Sequence, residues 1–180
     1  MTPLAPRSCA LDLLSRYGRD ILSHASMQGM KGFAHHAQTS VFAHSVAVAY
    51  VCVALALRLR LSVDMRALVR GALLHDYFLY DWHAFDGGEH RLHGLFHARR
   101  ALENARRDHA PTPVEEDAIL RHMFPLTPIP PRFCEGWIIC LADKACAACE
   151  RLFPDCLRAA AHAAEACAPQ PSCALSSFQA

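Results

Sequence analysis

No stretch of this chain alternates apolar and polar residues for long enough to build a sheet, and no segment repeats. The first absence excludes a β sandwich or barrel, the second a solenoid. Net charge is also missing: 18 basic residues against 17 acidic ones leave +1. Such a balance gives no global field for nucleic acid or an anionic membrane, so neither is expected as a partner. The longest unbroken apolar run goes from Val46 to Leu57, well short of the roughly 20 residues a bilayer span requires. Residues Met1 to Arg7 have neither the charged start nor the apolar core of a signal peptide. A soluble, cytoplasmic protein is expected.

A disulfide framework is missing too. The nine cysteines are odd in number, scattered, and set mostly in helix-like sequence, unlike the pattern of a small secreted scaffold. Cys146 and Cys149 have CxxC spacing, but no second pair stands at zinc-ribbon distance and no strand-turn context surrounds them. They read as small buried apolar residues of a reduced protein.

What is present is helix. Hydrophobic residues make up 53% of the chain and alanine recurs throughout, a mixture that suits packed helices. Helices are expected over Leu11 to about Ser26, Val41 to about Leu59, Val63 to about Leu74, and His93 to about Asp108. Further ones are expected from Thr112-Pro113, a capping box with proline at the first position, to about His122, over Phe133 to Leu152, and over Asp155 to Ala166. Gly29 and Gly32 fall in a loop that holds His35 and His36. Tyr77 to Arg91 reads as an aromatic, glycine-bearing segment able to act as a lid. Four prolines make Met123 to Pro131 a stiff loop. The expected architecture is all-α: a single helical domain over 1–167, with about six to seven helices and a C-terminal tail over 168–180. The alanine-rich faces of the last helix could support a homodimer.

Histidine is the anomaly, with 12 copies. His44, His75, Asp76, His97, His122 and Asp143 are separated, apart from the adjacent pair, by intervals that each hold about one helix and a turn. Each group can therefore come from a different element of a bundle. One histidine in an apolar helix is ordinarily a hydrogen-bonded core residue. Adjacent His75-Asp76 after the apolar Gly71 to Leu74 is costlier, because two polar groups there need a charged compensator. A metal ion suits both, favouring neutral imidazole and ionised carboxylate together. Two cations close together need several imidazoles and a bridging carboxylate, for which Asp76 is the candidate. Nitrogen-rich ligation favours iron, manganese or zinc over magnesium.

This series resembles the HD superfamily of metal-dependent phosphohydrolases, whose hallmark of His…His-Asp…Asp on a helical bundle matches His44, His75, Asp76 and Asp143. Phe96-His97-Ala98, Arg121-His122-Met123 and Leu141-Ala142-Asp143 are similar in order and spacing to segments of the diadenosine tetraphosphatase-like branch, which holds two metals. The resemblance covers about Ser40 to Glu150, with the metal-site core over about 40–150. It implies divalent transition metal, two ions, held by His44, His75, Asp76, His97, His122 and Asp143, with His75, Asp76 and Asp143 catalytic. It also implies hydrolysis of a phosphate ester or anhydride of a small nucleotide-like substrate by a metal-activated water. Many relatives carry Lys or Glu three positions after the His-Asp aspartate, where this chain has Leu79. Substrate-binding or supporting roles are expected for His36, His93, Arg99, Arg100 and Lys144. Two other readings use the same residues: a non-catalytic nucleotide-sensing or partner-binding module, and a bundle whose metal is structural. A structural ion would leave together with folding cooperativity, whereas a catalytic one would leave a folded protein.

Overall fold

The computed structural model describes residues 6–35, 39–81 and 93–152. Seven α-helices appear among them and no strand: α1 Pro6–Ser23, α2 Ala25–Gly29, α3 Val41–Leu59, α4 Met65–Leu74, α5 His93–His109, α6 Pro113–Arg121 and α7 Cys134–Leu152. The all-α expectation holds. The expected Asp155–Ala166 helix, the tail, His36, and the lid segment beyond Asp81 lie outside the described residues.

Helix α3 forms the centre, packed on α4, α7 and α1. It starts where the Ser40 hydroxyl accepts from the Ala43 N–H at 3.2 Å, and it ends at Arg60 in the left-handed region, φ 54°. By length and composition α3 could cross a membrane, but most of it is buried inside this bundle, as the core helix of a globular domain would be. Helix α4 is capped by Asp64, which accepts from the Ala67 N–H at 3.0 Å. From Ala67 onward every residue of α4 is buried. The capping box of α6 forms as expected: Thr112 accepts from the Glu115 N–H at 3.3 Å, and Glu115 accepts from the Thr112 N–H at 2.9 Å.

The loop expected around Gly29 and Gly32 is instead α2 followed by a 3-10 turn over Met30–Gly32. Met27 and Met30 are fully buried there, so apolar burial holds the short helical turns in place where glycine propensity would not. Helix α1 also stops three residues early, because His24 caps α2 by accepting from the Ser26 N–H.

Gly136 marks the tightest approach to the proline-rich loop: a Cβ there would sit 2.8 Å from Pro131 Cβ. That loop cannot retreat easily. Arg121 donates to the Pro130 carbonyl at 2.9 Å, and Asp117 accepts from the Arg132 N–H at 2.8 Å. Gly136→Val is therefore expected to lose about 3 kcal/mol in denaturant unfolding through overpacking. A wild-type midpoint in the variant would refute this.

Candidate metal centre

Helix ends aim two of the imidazoles. His75 ends α4 and His122 ends α6, both in right-handed helical backbone. Each donates its Nδ1 hydrogen three residues back, His75 to the Ala72 carbonyl at 2.7 Å and His122 to the Ile119 carbonyl at 2.8 Å. Those bonds set the tautomer, leaving each Nε2 with a lone pair directed away from its own helix. His44 comes from the first turn of α3, His97 from the first turns of α5 and Asp143 from the middle of α7.

They converge on Asp76. Its Oδ1 lies 3.3 Å from His97 Nε2 and 3.6 Å from His122 Nε2. Its Oδ2 lies 3.5 Å from His75 Nε2 and 4.0 Å from His44 Nε2. Asp143 Oδ1 completes the second side, 3.1 Å from His44 Nε2 and 3.7 Å from His75 Nε2. On the first side His97 Nε2 stands 2.9 Å from His122 Nε2. All six predicted residues are buried and brought together, and two donor triplets share Asp76 between them.

Electrostatics sort these groups. Burial acts to raise the carboxyls of Asp76 and Asp143, but the surrounding imidazoles outweigh it and hold both well below the usual range. Burial, reinforced by His75 and His97, pushes His122 down to about 3, so it stays neutral. Burial works against a charge on His44 too, yet its hydrogen bonds to Asp143 and Glu150 raise it to about 10. The cluster thus demands positive charge beside its carboxylates. His75 Nε2 supplies a second sign: it is buried with no hydrogen-bond partner, a costly state for a polar nitrogen. One chemistry answers both, a divalent cation that accepts the imidazole lone pairs and neutralises the carboxylates. The donors fit a transition metal, with imidazole nitrogens in the majority and carboxylates beside them.

Two participants were not predicted. Glu150, 1% exposed, accepts from His44 Nδ1 at 2.8 Å and from His35 Nδ1 at 2.9 Å. Burial would raise its carboxyl, but those two hydrogen bonds hold it at about 2. Helical periodicity could have found it, since Glu150 lies two turns beyond Asp143 on the same face of α7. His35 is a loop residue that no periodicity locates. The expected supporting histidine was its neighbour His36, which lies outside the described residues.

The remaining candidates fall elsewhere. His93 opens α5. Arg99 and Arg100 are exposed and paired with Glu103, and Arg99 lines a groove with Leu102, Arg106 and Leu120 on the outside of α5. The structure does not bring these two arginines into the cluster, because they follow His97 onto the solvent side of the helix. Lys144 donates to the His122 carbonyl at 2.9 Å and to the Cys140 carbonyl at 3.4 Å. It thereby ties the end of α6 to α7. Tyr77 and Phe78 are buried, so packing accounts for these two aromatics. Beyond them Leu79 turns the chain through positive φ, 61°. The Asn104 amide steadies that bend by donating to the Tyr77 and Phe78 carbonyls, both at 3.0 Å. Cys146 is buried while Cys149 is exposed, and both are free thiols. Burial pushes the Cys146 thiol up to about 12, which makes it unreactive.

Comparison with known proteins agrees with this geometry. No curated protein and no solved structure matches the chain. The HD domain model matches residues 41–148, a span that runs from the start of α3 through Asp143 and takes in His44, His75, Asp76, His97 and His122. The chain belongs to the HD domain family.

Proposed function

We propose that this protein is a metal-dependent phosphohydrolase that cleaves a phosphate ester or anhydride of a small nucleotide-like metabolite in the cytoplasm. One observation carries the reading. Asp76 divides its two oxygens between two sets of imidazole nitrogens, Oδ1 toward His97 and His122 and Oδ2 toward His44 and His75. A carboxylate so placed is suited to bridge two cations. His44, His75, Asp76 and Asp143 would hold one, and Asp76, His97 and His122 the other. When bound, such a pair polarises a phosphoryl group and lowers the pKa of water toward neutrality.

The chain's own groups do the positioning. The Ala72 and Ile119 carbonyls fix which ring nitrogen of His75 and His122 faces the centre. Lys144 and the strapped proline loop hold the α6 end in place. The buried side chains around His75 and His44 keep bulk water from the inner wall, where electrostatic interactions are strongest.

The test is elemental analysis of the purified protein, followed by turnover of a panel of phosphomonoesters and dinucleoside polyphosphates. About two equivalents of iron, manganese or zinc together with hydrolysis would support the reading. Protein that binds metal and nucleotide but hydrolyses nothing would mark a sensing module instead. Separate His97→Ala and His122→Ala variants are each expected to lose about one ion and keep the other. Retention of both ions in the two variants would remove His97 and His122 from the ligand set.

A further inference from the structure

Helix α5 brings His97 to the metal centre and packs chiefly on α6. Its hold on the segment around Asp76 comes from polar side chains farther along the same stripe. Asn104 and Asp108 stand seven and eleven residues beyond His97, two and three turns of helix, so the three share one face of α5. Ala101 lies between them, fully buried and small enough to let another segment approach.

That segment is the stretch leaving α4 after the His-Asp pair. Asn104 Nδ2 donates to the Tyr77 and Phe78 carbonyls, both at 3.0 Å. The amide has two hydrogens, and it meets two successive carbonyls of a buried segment that would otherwise need other donors. Arg107 fixes which way the amide is turned. Its guanidinium donates to Asn104 Oδ1 at 3.1 Å and to the Asp108 carboxylate at 2.7 and 2.8 Å, so the amide nitrogen faces the carbonyls. Asp108 Oδ2 in turn accepts from the Tyr77 hydroxyl at 2.9 Å. The Phe78 ring stands edge-on to His97, centroids 5.9 Å apart. Residues 76 and 97 are thus the near ends of two segments tied together farther along, and between them His97 Nε2 meets Asp76 Oδ1 at 3.3 Å. The other donor set does not use this tie. His44 and Asp143 come from α3 and α7, and His75 is fixed by its own bond to the Ala72 carbonyl.

We infer that Asn104 is a positioning residue for the second cation, the one that Asp76 would share with His97 and His122. Together with the Tyr77–Asp108 bond it sets the separation of His97 from Asp76, and so decides whether the centre holds one ion or two. This rests on the two-cation phosphohydrolase reading. Metal–ligand distances are tolerant to only about 0.2 Å, and a helix released from its tie can shift by more than that. Groups that orient ligands in this way affect metal affinity without touching the ion.

Manganese titrated into metal-free protein decides it, followed by calorimetry and by electron paramagnetic resonance, in which two ions sharing a carboxylate give a spin-coupled signal and a single ion does not. Asn104→Leu keeps most of the volume and removes both amide hydrogens. It is expected to bind the first ion as the wild type does, to bind the second about tenfold or more weakly, and to lose the coupled signal. In a His97→Ala background the same substitution should leave metal affinity unchanged, because the donor set it serves is already broken. Wild-type affinity for both ions in folded Asn104→Leu would overturn the inference. Equal weakening of both ions would overturn it too, as the mark of a general loss of packing. If Asn104→Leu fails to fold, Tyr77→Phe decides, since it removes only the hydroxyl bonded to Asp108: selective weakening of the second ion supports the inference and an unchanged second ion overturns it. Wild-type protein that takes up one ion or none would instead sink the two-cation reading, and this inference with it.

Discussion

Asp76→Ala is expected to empty the centre and lower phosphohydrolase turnover by roughly a thousandfold or more, about 4 kcal/mol of transition-state stabilisation. No other single change should reach both donor sets. His97 and His122 come nearest to Asp76 at Oδ1, while His44 and His75 come nearest at Oδ2. Removing the carboxylate therefore takes one ligand from each set and leaves four imidazoles close together, with Asp143 and Glu150 as remaining anions, both on His44. Asp76→Asn sharpens the test, because it preserves shape but not charge. It should resemble the alanine variant in metal content and differ from it little in stability. Metal content and turnover are the paired measurements. Two ions per chain and wild-type turnover in Asp76→Ala would refute both the bridging role and the proposed reaction.

Replacing Arg70 should cost much of the stability, about 3 kcal/mol for Arg70→Met. Arg70 is 4% exposed within α4. It donates to Asp20 Oδ1 at 2.7 Å and Oδ2 at 2.8 Å, and to the Tyr17 carbonyl at 3.3 Å. Its Nε lies 3.5 Å from Glu115 Oε1. One guanidinium thus joins α1, α4 and α6. Burial raises the Glu115 carboxyl above its ordinary value even with Arg70 beside it. Without Arg70, the buried carboxylate keeps the Thr112 N–H and, as a cation, the half-exposed Arg66 at 3.3 Å. The loss should come mainly from stranding that charge, so Arg70→Met combined with Glu115→Gln should recover much of it. No recovery in the double variant would refute this explanation.

Acid should narrow the difference between Arg70→Met and the wild type. Burial pushes Asp20 up, but the Arg70 hydrogen bond and charge outweigh it and hold the carboxyl below its ordinary 3.8. A depressed carboxyl contributes stability above its unfolded value and loses it as pH falls through the folded one. The Asp20 share of the difference should therefore persist above pH 3.8 and shrink below it. Urea unfolding across that window measures it, and a constant difference would count against the pairing.

Much of this was legible because local rules and long-range packing agree. Helix α3 reads from its Ser40 cap and unbroken apolar sequence, and α6 from its capping box, since those signals act within one turn. The cluster was legible for a related reason. A histidine or aspartate that interrupts an apolar helix must be satisfied somewhere, and five such interruptions at helix-length spacing, one of them the His75-Asp76 pair, imply one meeting place. Met27 and Met30 show the opposite case, where tertiary burial makes helix from glycine-bearing sequence that local propensity assigns to a loop.

The sequence by itself determined the helical class, the His-Asp core and the absence of any global field. These depend on residue type and on spacing along one element. Only the tertiary structure decided that Asp76 divides its oxygens between two sets, that Glu150 joins His35 to His44, and that Arg99 and Arg100 face solvent. Each of those facts is a relation between different helices, set by how α3, α5 and α7 rotate about their axes when their apolar faces pack. Rotation of that kind leaves no mark on any single segment, so His35 could be assigned only once α7 had brought Glu150 against it.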